Sequence, residues 1–64
     1  MNERDSWTVD AMEDRGGSFV KMLGALARRA DPINLSKIKN TWPEYWAKYE
    51  KIGRDKEKKA NTGE

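Results

Sequence analysis

The stretch that most constrains this chain is Thr41–Ile52, TWPEYWAKYEKI, which carries four of its six aromatic residues. Trp42, Tyr45, Trp46 and Tyr49 recur at i, i+3, i+4 and i+7, and Ile52 extends the stripe by a turn, so the rings share one face of a helix. In a chain of 64 residues, which buries only about 60% of the surface its unfolded form exposes, such a stripe must do much of the work of folding. Cysteine and histidine are both absent, so neither disulfides nor the usual zinc-ligand sets can supplement a small core. Aromatic packing or self-association has to take their place.

The punctuation of the chain predicts an all-α fold: a small bundle of three to four short helices followed by a disordered charged tail. A first helix is predicted over Trp7–Arg15, capped by Ser6 and stopped by Gly16, with an ill-defined apolar face. After the Gly16-Gly17 break, Ser18 is the expected cap of Phe19–Ala30, whose apolar face reads Phe19, Met22, Leu23, Leu26, Ala27 and Ala30. Gly24 costs roughly 1 kcal/mol relative to Ala inside a helix, which points to a second helix backbone crossing there. Asp31-Pro32 ends that helix and opens the next, Pro32–Asn40, with Leu35, Ile38 and Trp42 facing inward. Thr41-Trp42-Pro43-Glu44 has the form of a capping box that starts a fourth helix, stopped by Gly53. Beyond it RDKEKKANTGE is highly charged, has no apolar residue except Ala60, and offers too little burial to offset the entropy of ordering. The expected organisation is one helical domain over 1–53 and a disordered tail over 54–64.

Charge narrows the functional classes. Thirteen Lys and Arg against eleven Asp and Glu give a net charge of +2, which is no strong field for nucleic acid. The distribution is uneven: residues 1–14 hold Glu3, Asp5, Asp10, Glu13 and Asp14 against Arg4 alone, and the bases follow afterwards. The opening MNERDSW has no apolar run behind it, so no signal peptide is expected. Phe19–Ala30 is interrupted by Lys21, Arg28 and Arg29 and falls far short of the roughly 20 apolar residues that span a bilayer. These features predict a cytoplasmic protein without membrane association.

Catalysis and cofactor binding are not expected. Without His or Cys, and with Ser6, Ser18 and Ser36 at cap or surface positions, no nucleophile-and-base set can be assembled. Asp10, Glu13 and Asp14 share a helical face, but no twelve-residue calcium loop is present; a basic partner or the molecule's own Lys-rich tail is a better counter-ion than a metal. Gly16-Gly17-Ser18 lacks both phosphate-loop patterns, GxxxxGK[ST] and GxGxxG.

Binding is what remains. Trp46 and Tyr49 are expected in the core, closing over Phe19 and Leu26. Trp42 and Tyr45, at the corner between helices, and Trp7, in the weakest helix, are the candidate contacts for a protein partner, since Trp and Tyr dominate binding hot spots. A homodimer that pairs aromatic faces would complete the core in another way. The rival reading is nucleic-acid binding through Arg28, Arg29, Lys37 and Lys39 on a loosely helix-turn-helix-like unit. Against it, cations in a last helical turn complement the helix dipole, and Glu44–Lys48 and Glu50–Arg54 have the spacing of solvated i,i+4 pairs.

The segment Gly16–Tyr49, GGSFVKMLGALARRADPINLSKIKNTWPEYWAKY, resembles a group of small, uncharacterised proteins encoded by bacteriophages and prophages. These share a GGSFV opening, an Ala/Arg-rich helix, an ADP-x-N-L turn and a WPEYW-type ending. The resemblance covers about half of the chain and carries over no functional residue. It implies a bacterial cytoplasm during infection or lysogeny, and a role as an accessory protein that binds and redirects a host or phage protein, by analogy of size and origin.

Overall fold

In the computed structural model, which describes the backbone of residues 1–62 and side chains as far as Glu57, the chain forms four helices. These are α1 (Glu3–Arg15), α2 (Ser18–Arg29), α3 (Pro32–Thr41) and α4 (Pro43–Thr62), and no strand occurs among the described residues. The all-α expectation holds, and its boundaries move for local reasons. Asn2, not Ser6, caps α1: its Oδ1 accepts the Asp5 backbone N–H at 2.8 Å, which starts the helix four residues before the predicted Trp7. Gly17 occupies the cap of α2 with no side-chain bond, and Ser18 is already helical. Asp31 caps α3 as expected, accepting the Asn34 N–H at 2.8 Å, with Pro32 in the first turn.

The capping box at Thr41 does not form. Thr41 is the last residue of α3 and donates its hydroxyl to Lys37 O at 2.7 Å; Trp42 alone separates α3 from α4, and its carbonyl accepts the Trp46 N–H. Gly53 does not stop α4 either, because the helix runs through it to Thr62. Arg54–Glu57, assigned to a disordered tail by the sequence, are therefore helical, while the side chains of 58–62 and all of 63–64 lie outside the described residues.

The organising element is α1, which packs against both α2 and α4. Thr8, Val9, Ala11 and Met12 are wholly buried, and Thr8 satisfies its hydroxyl on Arg4 O at 2.9 Å. The ill-defined apolar face of this helix has a physical reason: its buried side mixes the polar Asp5 and Thr8 with Val9, Ala11 and Met12, so amphipathicity is weak although burial is high. Around it close Val20, Leu23 and Ala27 from α2, Leu35 and Ile38 from α3, and Trp46 and Tyr49 from α4. Trp46 and Tyr49 are core residues as predicted.

Two glycines permit these approaches. A Cβ on Gly24 would lie 2.9 Å from Met12 Cβ and 3.4 Å from Val9 O, which is the helix crossing expected from its sequence position. A Cβ on Gly53 would lie 2.5 Å from Trp7 O and 2.7 Å from Trp7 C. Gly53 is therefore a contact point between α4 and the α1 backbone, and a rigid carbonyl cannot give way as a flexible side chain would. Gly53→Ala is expected to destabilise the protein by about 2 kcal/mol in urea denaturation. Gly17→Asp, at a cap with nothing within 4 Å of the added Cβ, should be neutral or stabilising by up to about 1 kcal/mol.

Candidate functional site

The apolar residues of α2 occupy an arc wider than one neighbour can cover. Val20, Leu23, Gly24 and Ala27, at i, i+3, i+4 and i+7, turn inward to α1. A second stripe turns outward: Phe19 is 53% exposed, Met22 73% and Leu26 56%. The expected closure of Trp46 and Tyr49 over Phe19 and Leu26 is thus not what occurs. Phe19, Met22, Leu23, Leu26 and Trp42 instead line an open groove of about 380 Å³. Beyond Leu26 the groove continues into a second hollow of about 260 Å³ bounded by Arg29, Ala30, Asn34, Lys37 and Ile38. Contiguous exposed apolar surface of this kind is uncommon on small monomers and marks contact sites.

One end of the groove is built of rings. Phe19 meets Trp42 edge-on, with centroids 6.0 Å apart and planes at 71°, and meets Tyr45 at 5.8 Å and 45°. Trp42 is half-buried and Tyr45 exposed, so the rings hold one another in place while keeping faces towards solvent. The structure therefore brings two of the three predicted partner-binding residues, Trp42 and Tyr45, together on Phe19. It places the third, Trp7, elsewhere: half-buried against Gly53, two turns further along α4 and about 12 Å from the Tyr45 level. There Trp7, Asp10, Gly53, Lys56 and Glu57 line a separate hollow of about 140 Å³. Phe19, Met22 and Leu26 look like core in the sequence because they share a broad apolar arc with Leu23, Ala27 and Ala30. Val20, absent from that arc and buried, is the signal that α2 carries two adjacent stripes, one more than α1 can cover.

The four predicted nucleic-acid contacts divide in pairs. The Arg28 guanidinium donates to Glu13 Oε1 and to Asp10 Oδ1, each at 2.7 Å, and to Glu13 Oε2 at 3.3 Å. These bonds, Glu13 foremost and then Asp10, raise its pKa above the ordinary value and clamp α2 to α1. The Lys39 ammonium lies 2.9 Å from Asp5 Oδ1 and 3.0 Å from Oδ2, and 5.3 Å from the centroid of the Trp46 ring. Arg29 and Lys37, by contrast, are exposed at the end of the groove and make no ion pair among the described residues. The i,i+4 pairs expected along α4 are absent among the described residues, and Glu50 instead approaches Arg4 of α1 at 3.5 Å.

The acidic triplet is consumed internally. Asp10 and Glu13 serve Arg28, and Asp14 accepts from Lys56 at 3.0 Å and from Arg15 at 3.3 Å. No cluster of metal-ligating side chains occurs among the described residues. No described helix is long and apolar enough to cross a membrane. Comparison with protein-family models, curated proteins and solved structures finds no match for this chain.

Two measurements check this arrangement. Leu26→Ala should change stability by no more than about 0.5 kcal/mol, whereas Leu23→Ala, at a buried position three residues away, should cost about 3 kcal/mol. Equal costs would mean that Leu26 belongs to the core. For Asp14, the Lys56 hydrogen bond and charge hold the carboxyl below its ordinary value of 3.8. Since the folded state binds this proton less readily than the unfolded chain, the contribution is complete above the ordinary value and disappears as pH falls through the folded one. NMR titration of the Asp14 carboxyl should show the depressed midpoint, and Lys56→Gln should move it back up.

Proposed function

We propose that this protein is a small accessory module of phage type that acts, without catalysis or cofactor, by binding another protein in the bacterial cytoplasm. The observation that carries this reading is the outward stripe of α2, where Phe19, Met22 and Leu26 stand exposed beside Trp42 and Tyr45. Burying such residues on a partner supplies the hydrophobic gain that the fold itself leaves unused, and the ring cluster provides rigid anchors of the kind found at hot spots. The phage setting rests on the sequence resemblance of Gly16–Tyr49. Trp7 contributes to the packing of α1 on α4 in this reading and is secondary to Trp42 and Tyr45.

Nucleic-acid binding is the weaker alternative, because Arg28 and Lys39 are already held by carboxylates of α1. A phosphate backbone would have to displace these intramolecular bonds or rely on Arg29, Lys37 and other surface cations. Self-association through the same stripe is the third outcome. The distinguishing experiment is affinity capture from lysogenic or infected cells after nuclease treatment, with the wild type beside Leu26→Glu. A stoichiometric protein retained by the wild type and reduced at least about tenfold by Leu26→Glu is the expected result. Retention of nucleic acid alone, lost on nuclease treatment and on replacement of Arg29 and Lys37 by Ala, would overturn it, and so would retention of no protein.

A further inference from the structure

Resting on the protein-binding reading, we infer that the occupant of the α2 groove is an acidic amphipathic helix: an apolar stripe seated between Phe19 and Leu26, with carboxylates reaching Arg29 and Lys37. Three observations converge on this occupant. The first is shape. From Phe19 to Arg29 the groove follows α2 for about 15 Å, the length of roughly three helical turns. Its walls are a helix on one side and Trp42 with α3 on the other, a form that accepts a helix laid alongside with anchors at i, i+3 or i+4, and i+7.

The second is the sign of the charge. None of the residues lining the groove or its extension is acidic, and the extension carries Arg29 and Lys37. Between Gly16 and Pro43 the only acid is Asp31, whose carboxylate accepts from Asn34 at the start of α3. The cations of this region that face α1, Arg28 and Lys39, already have carboxylate partners there; Arg29 and Lys37 have none among the described residues. Cations at the rim of an apolar groove steer an oppositely charged segment and fix its register.

The third concerns the competing occupant, a second copy of the chain. A two-fold contact would set the same acid-free lining against itself. The carboxylates Asp5, Asp10, Glu13 and Asp14 of a neighbouring α1 are occupied by Lys39, Arg28 and Lys56 of their own chain. Four of the five α1 carboxylates of a second copy are thus spent within their own chain, and the acids of its α4 (Glu44, Glu50, Asp55 and Glu57) are interleaved with Lys48, Lys51, Arg54 and Lys56, so neither helix offers an acidic stripe and the fitting segment belongs to another protein.

The test uses two designed 15-residue helical peptides without tryptophan that share one leucine stripe; one carries Glu on its polar face and the other Lys. Binding to the intact protein is read from Trp fluorescence, to which Trp42 in the groove contributes, with a parallel readout by calorimetry. The Glu peptide should bind at least tenfold more tightly than the Lys peptide, with the preference shrinking at high salt. Leu26→Glu should abolish binding of the Glu peptide. Arg29→Glu with Lys37→Glu should reverse the preference, and because that variant then binds the Lys peptide, loss of folding cannot imitate the result. Equal binding of both peptides that Leu26→Glu abolishes would overturn the acidic occupant while leaving the groove as a docking surface. Binding of neither peptide, in a protein that sediments as a dimer dissociated by Leu26→Glu, would make a second copy the occupant and overturn the inference. Binding of neither in a monomeric protein would overturn it as well, leaving the protein-binding reading to the capture experiment.

Discussion

The close approach of α1 to its two long neighbours is the condition on which the rest of the structure depends. Gly24 brings α2 against Met12 and Val9, and Gly53 brings α4 against the Trp7 backbone. A chain of this size has few large side chains to fill an interior, and it solves the problem by making the interior thin. Thr8, Val9 and Ala11, all fully buried, fill the space beside these crossings, and Met12 is the largest side chain wholly enclosed. Dispersion contacts between near backbones then supply what a thicker core would draw from Leu and Phe.

A thin interior decides what is left outside. Helix α2 can present only Val20, Leu23, Gly24 and Ala27 to a neighbour held so close, and the bulk of Phe19, Met22 and Leu26 falls on the flank. Helix α3 spans only Pro32–Thr41 and turns away after the Asp31-Pro32 corner, giving Leu35 and Ile38 to the core without covering that flank. The exposed groove is thus a direct result of fitting four helices around a slender centre. Its rings are held by contact with one another, so the surface is formed before any partner arrives, which lowers the ordering cost of binding.

The same geometry explains what the sequence disclosed. Helix number, helix type, the Asp31 cap and the burial of Trp46 and Tyr49 were legible because they follow from periodicity and local chemistry. Gly24 was legible because a glycine inside a strong helix needs a reason. Gly53 is the complementary case: with polar sequence after it, the same residue type looks like a stop, and nothing local reveals that Trp7 O lies against it. The centrality of α1 was hidden because its buried side includes the polar Asp5 and Thr8, which dilute the apolar periodicity of Val9, Ala11 and Met12. The candidate site was half legible. Trp42 and Tyr45 stood out as aromatics at a corner, whereas Phe19, Met22 and Leu26 look like core until the crossing at Gly24 fixes which stripe of α2 turns inward.

Electrostatics and apolar exposure meet on one face for a connected reason. The acids concentrated in α1 are spent tying that helix to each of the others: Asp10 and Glu13 to Arg28 of α2, Asp5 to Lys39 of α3, and Asp14 to Lys56 of α4. Largely exposed pairs such as those of Arg28 and Lys56 contribute little stability each, but their distribution favours one arrangement of the helices over others that an equally thin core would tolerate. What looks in the sequence like an acidic head beside a basic body is therefore intramolecular complementarity. Arg29 and Lys37, which make no ion pair among the described residues, lie at the end of the groove that α1 leaves uncovered. A segment able to satisfy both at once needs an apolar stripe and negative charge within about three helical turns.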